Sequence, residues 1–357
     1  MLHGSWKRTA QDATDKVETA TRDADYWYGT GNLIIVSQGV AFRVQKYLLV
    51  AHSVVFRDMF APSTPGPSTE DLFDGCLVAT LDDSPKDWRE LFGLLYPQRI
   101  GQKPLSDRKA NMALISAIIR LGHKYGLEDL YDQAIGYLTA CYTTSFDAWT
   151  GRRDSSQWQP DPIHAIRAIN LARLTNTTSI LPAAFYICAT LGPDIARGLP
   201  LEDGSTEQLA PDDMHLVLGM QARLLAENAR IAFLVFRVPS VLPCPWGPYS
   251  RAQCREVWRR LLGHAGLPEP EVQLPHPVAS ACALDSWVAN MGCLPRFFPT
   301  PPPVEPRIYV GGQGWYHMSN LCEPCRHHLE TRDWELRREV WRKLPGFLGL
   351  TIEGWDA

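Results

Sequence analysis

The 357-residue sequence predicts an α+β fold: an N-terminal domain of a small sheet with a cluster of helices, then a mostly α-helical C-terminal region. Three observations predict it. Short, largely β-branched runs lie near the start at hairpin spacing. Apolar residues then recur at i, i+3, i+4 and i+7, the pattern of amphipathic helices. Beyond residue 162 the strand-like runs give way to helical stretches separated by proline-rich loops. With 45% hydrophobic residues the chain can bury one large core or two ordinary ones, which excludes collagen-like and fully disordered classes.

Residues 1–24 are polar and mixed in charge and read as a flexible tail. Leu33-Ile34-Ile35-Val36, the turn residues Ser37-Gln38-Gly39, and Ala41-Phe42-Arg43-Val44 read as a β-hairpin. Lys46 to Ala51 and Val54 to Phe60 read as two short helices, with Ser53 capping the second. Ala61 to Thr69 is a Pro/Ser/Thr-rich loop, and Cys76 to Leu81 a third strand. Ser84-Pro85-Lys86-Asp87 opens a helix in which Trp88, Leu91, Phe92, Leu95 and Tyr96 share one face and Pro97 ends the run. A helix capped by Ser106 and ending at Gly126 follows, then another from Asp129 to Cys141. The predicted core of this block, residues 25–145, is Leu33, Ile35, Phe42, Val44, Leu48, Phe56, Trp88, Leu91, Leu121 and Leu130.

Residues 146–162 read as a linker, and 163–357 as a helical region with Pro-rich loops. Its expected helices are Ile163 to Leu174, Leu181 to Leu191, a long stretch from Pro211 to Phe236, Ser250 to about Leu262, Ala283 to Met291, and a last helix from Leu321 to Leu344 capped by Asn320. Val238 to Tyr249 is a loop, Leu267 to Pro277 is extended, and Phe297 to Pro306 is a stiff linker with five prolines.

Lys+Arg 35 against Asp+Glu 39 gives a net charge of -4, so the global basic field expected of a nucleic-acid binder is absent. No apolar run reaches the roughly 18 residues a membrane helix requires, and no h-region follows Lys7-Arg8. These features predict a soluble, intracellular protein whose thiols stay reduced, with no membrane partner.

The first block resembles a BTB/POZ domain. Phe42-Arg43-Val44-Gln45-Lys46-Tyr47-Leu48-Leu49-Val50-Ala51-His52-Ser53-Val54-Val55-Phe56-Arg57-Asp58-Met59-Phe60 is similar to the family's F-x-V-H-K…L…S-x-x-F-x-x-M-F signature, and Leu121 to Leu130 to its later A-x-K-Y-x-x-x-x-L segment. The whole chain is similar to the BTB proteins abundant in mushroom-forming fungi. The resemblance implies a non-enzymatic protein–protein interaction module that dimerises or acts as an adaptor or scaffold. Transcriptional regulation and ubiquitin ligation both stay open as its process. The hairpin and the helices around Lys46, Tyr47, Val50 and His52 are the implied partner or dimer interface. Two departures bear on this. Asn32 stands where many members carry Asp, and Gln45 where many carry His, so a charged pocket there is not expected. Pro97 to Lys103 lacks the acid of cullin-binding members.

Cys322-Glu323-Pro324-Cys325 is the one metal-like spacing, since i and i+3 share a helix face and a helix N-terminus favours thiolate. Cys244 and Cys254 flank a turn-rich loop and could complete a structural zinc site, with His327 and His328 as alternative ligands. The competing reading is four separate buried thiols, with no cofactor. Cys76, Cys141, Cys188, Cys282 and Cys293 sit in apolar segments and read as core thiols. Gly311-Gly312-Gln313-Gly314 lacks the Lys-Ser/Thr of a P-loop and reads as a turn. His52 and His123 read as surface or packing residues, and no catalytic set can be named. A zinc-stabilised nucleic-acid-binding regulator is the alternative function, opposed by the acidic charge and by the mixed charges on the last helix.

Overall fold

Strand β2 (Leu33–Ser37) is buried along its whole length and is the axis on which the first unit is built. Its β-branched residues suit a strand covered on both faces. It pairs antiparallel with β3 (Val40–Val44) through a two-residue turn. Gln38 and Gly39 both take positive φ there, 46° and 79°, as a primed hairpin turn requires. On its other side β2 pairs parallel with β5 (Cys76–Leu81). A second tight hairpin joins β4 (Leu72–Phe73) to β5 through Asp74 and Gly75, again at positive φ. The sheet order is β1-β3-β2-β5-β4, with β1 spanning Thr21–Trp27.

We describe residues 10–61, 72–96, 111–152, 159–202, 204–245, 248–266, 280–289 and 321–357 of a computed structural model. The expected loop after Ala61, the Ser106 cap, the Pro97 to Lys103 segment, the 267–277 extension, Cys293, the 297–306 linker, the 311–314 glycines and Asn320 lie outside the described residues.

Helices cover one face of the sheet. Short α2 (Lys46–His52) and α3 (Val54–Met59) follow the hairpin, and α4 (Pro85–Leu95) begins at Ser84, whose Oγ accepts the Lys86 amide. Helix α5 (Met112–Tyr125) is capped by Asn111 and ends at Gly126 in the left-handed conformation, and α6 (Glu128–Cys141) follows it. An aromatic chain fills the space between: Phe42 packs on Phe92, Phe92 on Trp88, and Trp88 on Phe56 and Tyr125. Eight of the ten predicted core residues are buried. Leu48 and Leu130 are only half-buried, and their neighbours Leu49 and Leu127 turn inward instead.

Within the expected flexible tail over 1–24, the described residues from Ala10 form a helix and the start of a strand. Helix α1 (Ala10–Thr19) buries Val17 against Ile34, Val36, Ala41 and Cys76 on the opposite face of the sheet. Strand β1 then adds to β3 in parallel. Its buried positions are Asp23 and Tyr26, three apart, so neither period 2 nor hydropathy reveals it.

The expected boundaries at 145 and 162 also shift. The chain forms two compact units, 1–142 with 155–177, and 143–154 with 178–357. Helix α8 (Ala165–Thr175), expected in the C-terminal region, packs on α5 of the first unit. The expected linker contains helix α7 (Phe146–Gly151), which belongs to the second unit and buries Phe146 and Trp149.

Among its described residues the second unit is mainly helical, with a minimal hairpin of Leu199–Pro200 and Thr206–Glu207. Its helices are α9 (Leu181–Thr190), α10 (Pro211–Phe236), α11 (Pro248–Gly266) and a last helix over Glu323–Phe347. Within the expected Ala283 to Met291 helix, the described residues 283–289 form turns and then a helical stretch at 287–289. Trp341 lies fully buried near Phe146 and Trp149, and Trp355 stacks on it at 4.7 Å. Its indole donates to Thr144 O at 3.1 Å.

Candidate interaction surface and four-cysteine cluster

The α2–α3 corner is set by polar residues at each helix start. Asn32 Oδ1 accepts the Lys46 amide at 2.8 Å, and the Gln45 amide donates to the Tyr96 hydroxyl at 2.6 Å. Of the two departures from the resemblance, Asn32 acts at the α2 N-terminus through its side chain, whereas the Gln45 side chain donates to Thr30 O at 2.6 Å. Ser53 is fully buried; its Oγ accepts the Phe56 amide and donates to Tyr125 O, fixing α3 against the end of α5.

Of the four expected interface residues, Tyr47 and His52 are exposed, while Lys46 and Val50 are half-buried. The Lys46 ammonium lies 5.5 Å from the Phe60 ring centroid. Sequence reasoning did not single out Val54 and Val55, which follow the Ser53 cap and are 44% and 38% exposed; Tyr47, on the preceding helix, is 63% exposed. Two successive short helices thus leave three apolar side chains open to solvent. A signal was available: only Phe56 and Leu49 of these two helices are fully buried, and helices of six or seven residues cannot bury more than one face.

In the second unit the structure brings together all four expected metal-site residues. The Sγ atoms of Cys244, Cys254, Cys322 and Cys325 all lie within 4.8 Å of one another, and Cys322 and Cys244 are 3.6 Å apart. Three elements supply them. Cys244 comes from the loop after α10, where its carbonyl accepts Arg251 Nε at 3.3 Å. Cys254 lies early in α11, one turn before the fully buried Trp258. Cys322 is the N-cap of the last helix and Cys325 lies in its first turn, with Pro324 at a position where no amide proton is required. Cys244, Cys254 and Cys325 are buried and Cys322 is half-buried.

Neither alternative ligand joins this group. His327 is exposed, and the His328 ring lies 6.0 Å from that of Trp258. The thiols perturb one another. Burial pushes Cys325 up, and the neighbouring Cys322 and Cys254 push it further. At Cys322 burial acts upward too, but hydrogen bonds from the Cys325 amide and the other three thiols outweigh it, and the pKa falls below the ordinary value. Among the remaining cysteines, Cys76 and Cys188 are buried, whereas Cys141 and Cys282 are half-buried.

The last helix carries its basic residues mostly in pairs. Arg326 meets Glu323, Arg337 meets Asp333, Arg338 and Arg342 both meet Asp356, and Lys343 meets Glu227. Among the described residues no helix is long and apolar enough to cross a membrane.

No curated protein matches the chain. Residues 30–141 match the model of the BTB/POZ domain family. That span contains β2, β3, α2 to α6 and the exposed corner at Tyr47, Val54 and Val55. The chain thus carries a BTB/POZ domain, a general protein–protein interaction module, over residues 30–141.

Proposed function

We propose that this chain is a non-enzymatic interaction protein that self-associates through the α2–α3 corner of its BTB/POZ domain and acts as an adaptor or scaffold. The observation that carries the reading is the apolar trio Tyr47, Val54 and Val55, exposed on a domain of an interaction family. Burying such side chains against a second copy removes apolar surface from water, the main favourable term in association. Lys46, Val50 and His52 share α2 with Tyr47, and we assign them to the rim of this surface. Nucleic acid is not the partner we propose, because the net charge is -4 and the basic residues of the last helix are largely neutralised by acids.

The test is sedimentation equilibrium of the full chain and of a Val54→Asp/Val55→Asp double variant. Both substitutions fall in the first turn of α3, where acids suit the helix dipole, so the fold should tolerate them. The wild type is expected to dimerise and the variant to associate at least about tenfold more weakly, with unchanged circular dichroism. A wild-type chain that stays monomeric at high micromolar concentration sinks the proposal.

A further inference from the structure

We propose that Cys244, Cys254, Cys322 and Cys325 hold one zinc ion as four thiolates, a structural centre that clamps the α10–α11 loop, α11 and the start of the last helix together. This site lies in the second unit and does not depend on the self-association reading.

The geometry points to a single ion shared by four sulfurs. In a tetrahedral zinc–thiolate site with Zn–S near 2.3 Å, neighbouring sulfurs sit about 3.8 Å apart. The Cys322–Cys244 separation of 3.6 Å is close to that, and the whole set fits within 4.8 Å. The pattern is not two disulfide pairs. All four sulfurs lie within 4.8 Å of one another, so each has three sulfur neighbours and not one. Cys322 at the N-cap and Cys325 in the first turn lie at the positive end of the last helix, which favours thiolate, the form that ligates metal.

The donor set selects the ion. Four soft sulfurs with no carboxylate or imidazole favour zinc over calcium or magnesium. Four protein ligands leave no open position for water, so the centre is structural and not catalytic. The chain separation also suits a clamp, because Cys244 and Cys322 lie 78 residues apart. Zinc binding replaces the protons of the thiols by Zn–S bonds, releasing them to solvent, with no change of oxidation state.

The experiment uses the full chain purified under reducing conditions from zinc-supplemented culture. Elemental analysis should find about one zinc per chain. Exchange with cobalt should produce the d–d and sulfur-to-cobalt charge-transfer bands of a tetrahedral tetrathiolate. Cys254→Ser and Cys325→Ser should each lose most of the zinc, while Cys188→Ser, a buried thiol away from the cluster, should keep it. Because the metal count and the cobalt spectrum are read on the wild type, instability of the serine variants does not spoil the test. Folded, reduced wild type that contains no zinc and yields no cobalt bands overturns the proposal. So does iron in place of zinc, zinc retained in the Cys254→Ser/Cys325→Ser double variant, or disulfides among these cysteines in freshly isolated protein.

Discussion

Ser53 illustrates how one buried hydroxyl ties together distant parts of the first unit. It caps α3 locally and donates to a carbonyl 72 residues away, on Tyr125. Ser53→Ala should destabilise the chain by about 1–2 kcal/mol, the combined effect of a lost cap and a buried carbonyl left without its donor. Urea unfolding of the full chain would measure it, and a change within error would show that another group takes over both roles. The cap was legible in the sequence because a serine stood before an apolar run. The Tyr125 partner was not, because a hydrogen bond between distant segments leaves no local pattern. The cysteines divide in the same way. Cys322 and Cys325 announced themselves by spacing, and a turn-rich segment between Cys244 and Cys254 hinted at the other pair. Only the folded chain shows that the histidines beside them point elsewhere.

At the scale of elements, the last helix shows how charge anchors a segment. Arg338 and Arg342, one turn apart, converge on Asp356 Oδ2 at 2.9 and 2.7 Å. Burial acts to raise the Asp356 pKa, but hydrogen bonds from both guanidinium groups outweigh it and hold the carboxyl below its ordinary value. The unfolded chain then binds more protons than the folded chain across that interval. The contribution is present above the unfolded carboxyl value, near pH 4, and is lost as pH falls through the lower folded value. Asp356→Asn should therefore lower stability at pH 7, with the difference from wild type shrinking toward pH 3 in parallel denaturant titrations. A difference independent of pH would remove the charge from the explanation. Strand β1 is the element the sequence concealed. Its buried Asp23 accepts the amides of Asp25 and Tyr26 and pairs with Arg89 at 2.7 Å, so a polar residue occupies a position where pattern reading looks for an apolar one. The hairpins were easier. Gln38-Gly39 was read correctly, and Asp74-Gly75 was an equally strong turn dipeptide that went unused because β4 is only two residues long.

For the whole molecule, the division into units follows packing more than sequence order. Ile166, Ile169 and Leu171 of α8 are buried in the first unit, although α8 lies beyond the matched BTB/POZ span. A fragment ending at residue 177 should therefore melt at least about 5 °C above one ending at 145, since the shorter one leaves α5 uncovered. Equal melting temperatures would show that α8 contributes nothing to the first unit. Sequence composition placed a linker at 146–162 because its second half is polar. It missed Phe146 and Trp149, whose aromatic partners Trp341 and Trp334 come much later in the chain.

That excursion of 143–154 into the second unit sets a timetable for synthesis. Thr144 and the indole it binds on Trp341 are 197 residues apart, so at ordinary translation rates the segment waits roughly 10–40 s for its partner to be made. During that interval Phe146 lacks both of its aromatic partners, Trp334 and Trp341, and Trp149 has Tyr186 but not Trp341, while the domain preceding them can already close. The ribosome-bound chain is then a folded interaction domain trailing an adhesive segment, and co-translational chaperones would find their binding site on that segment.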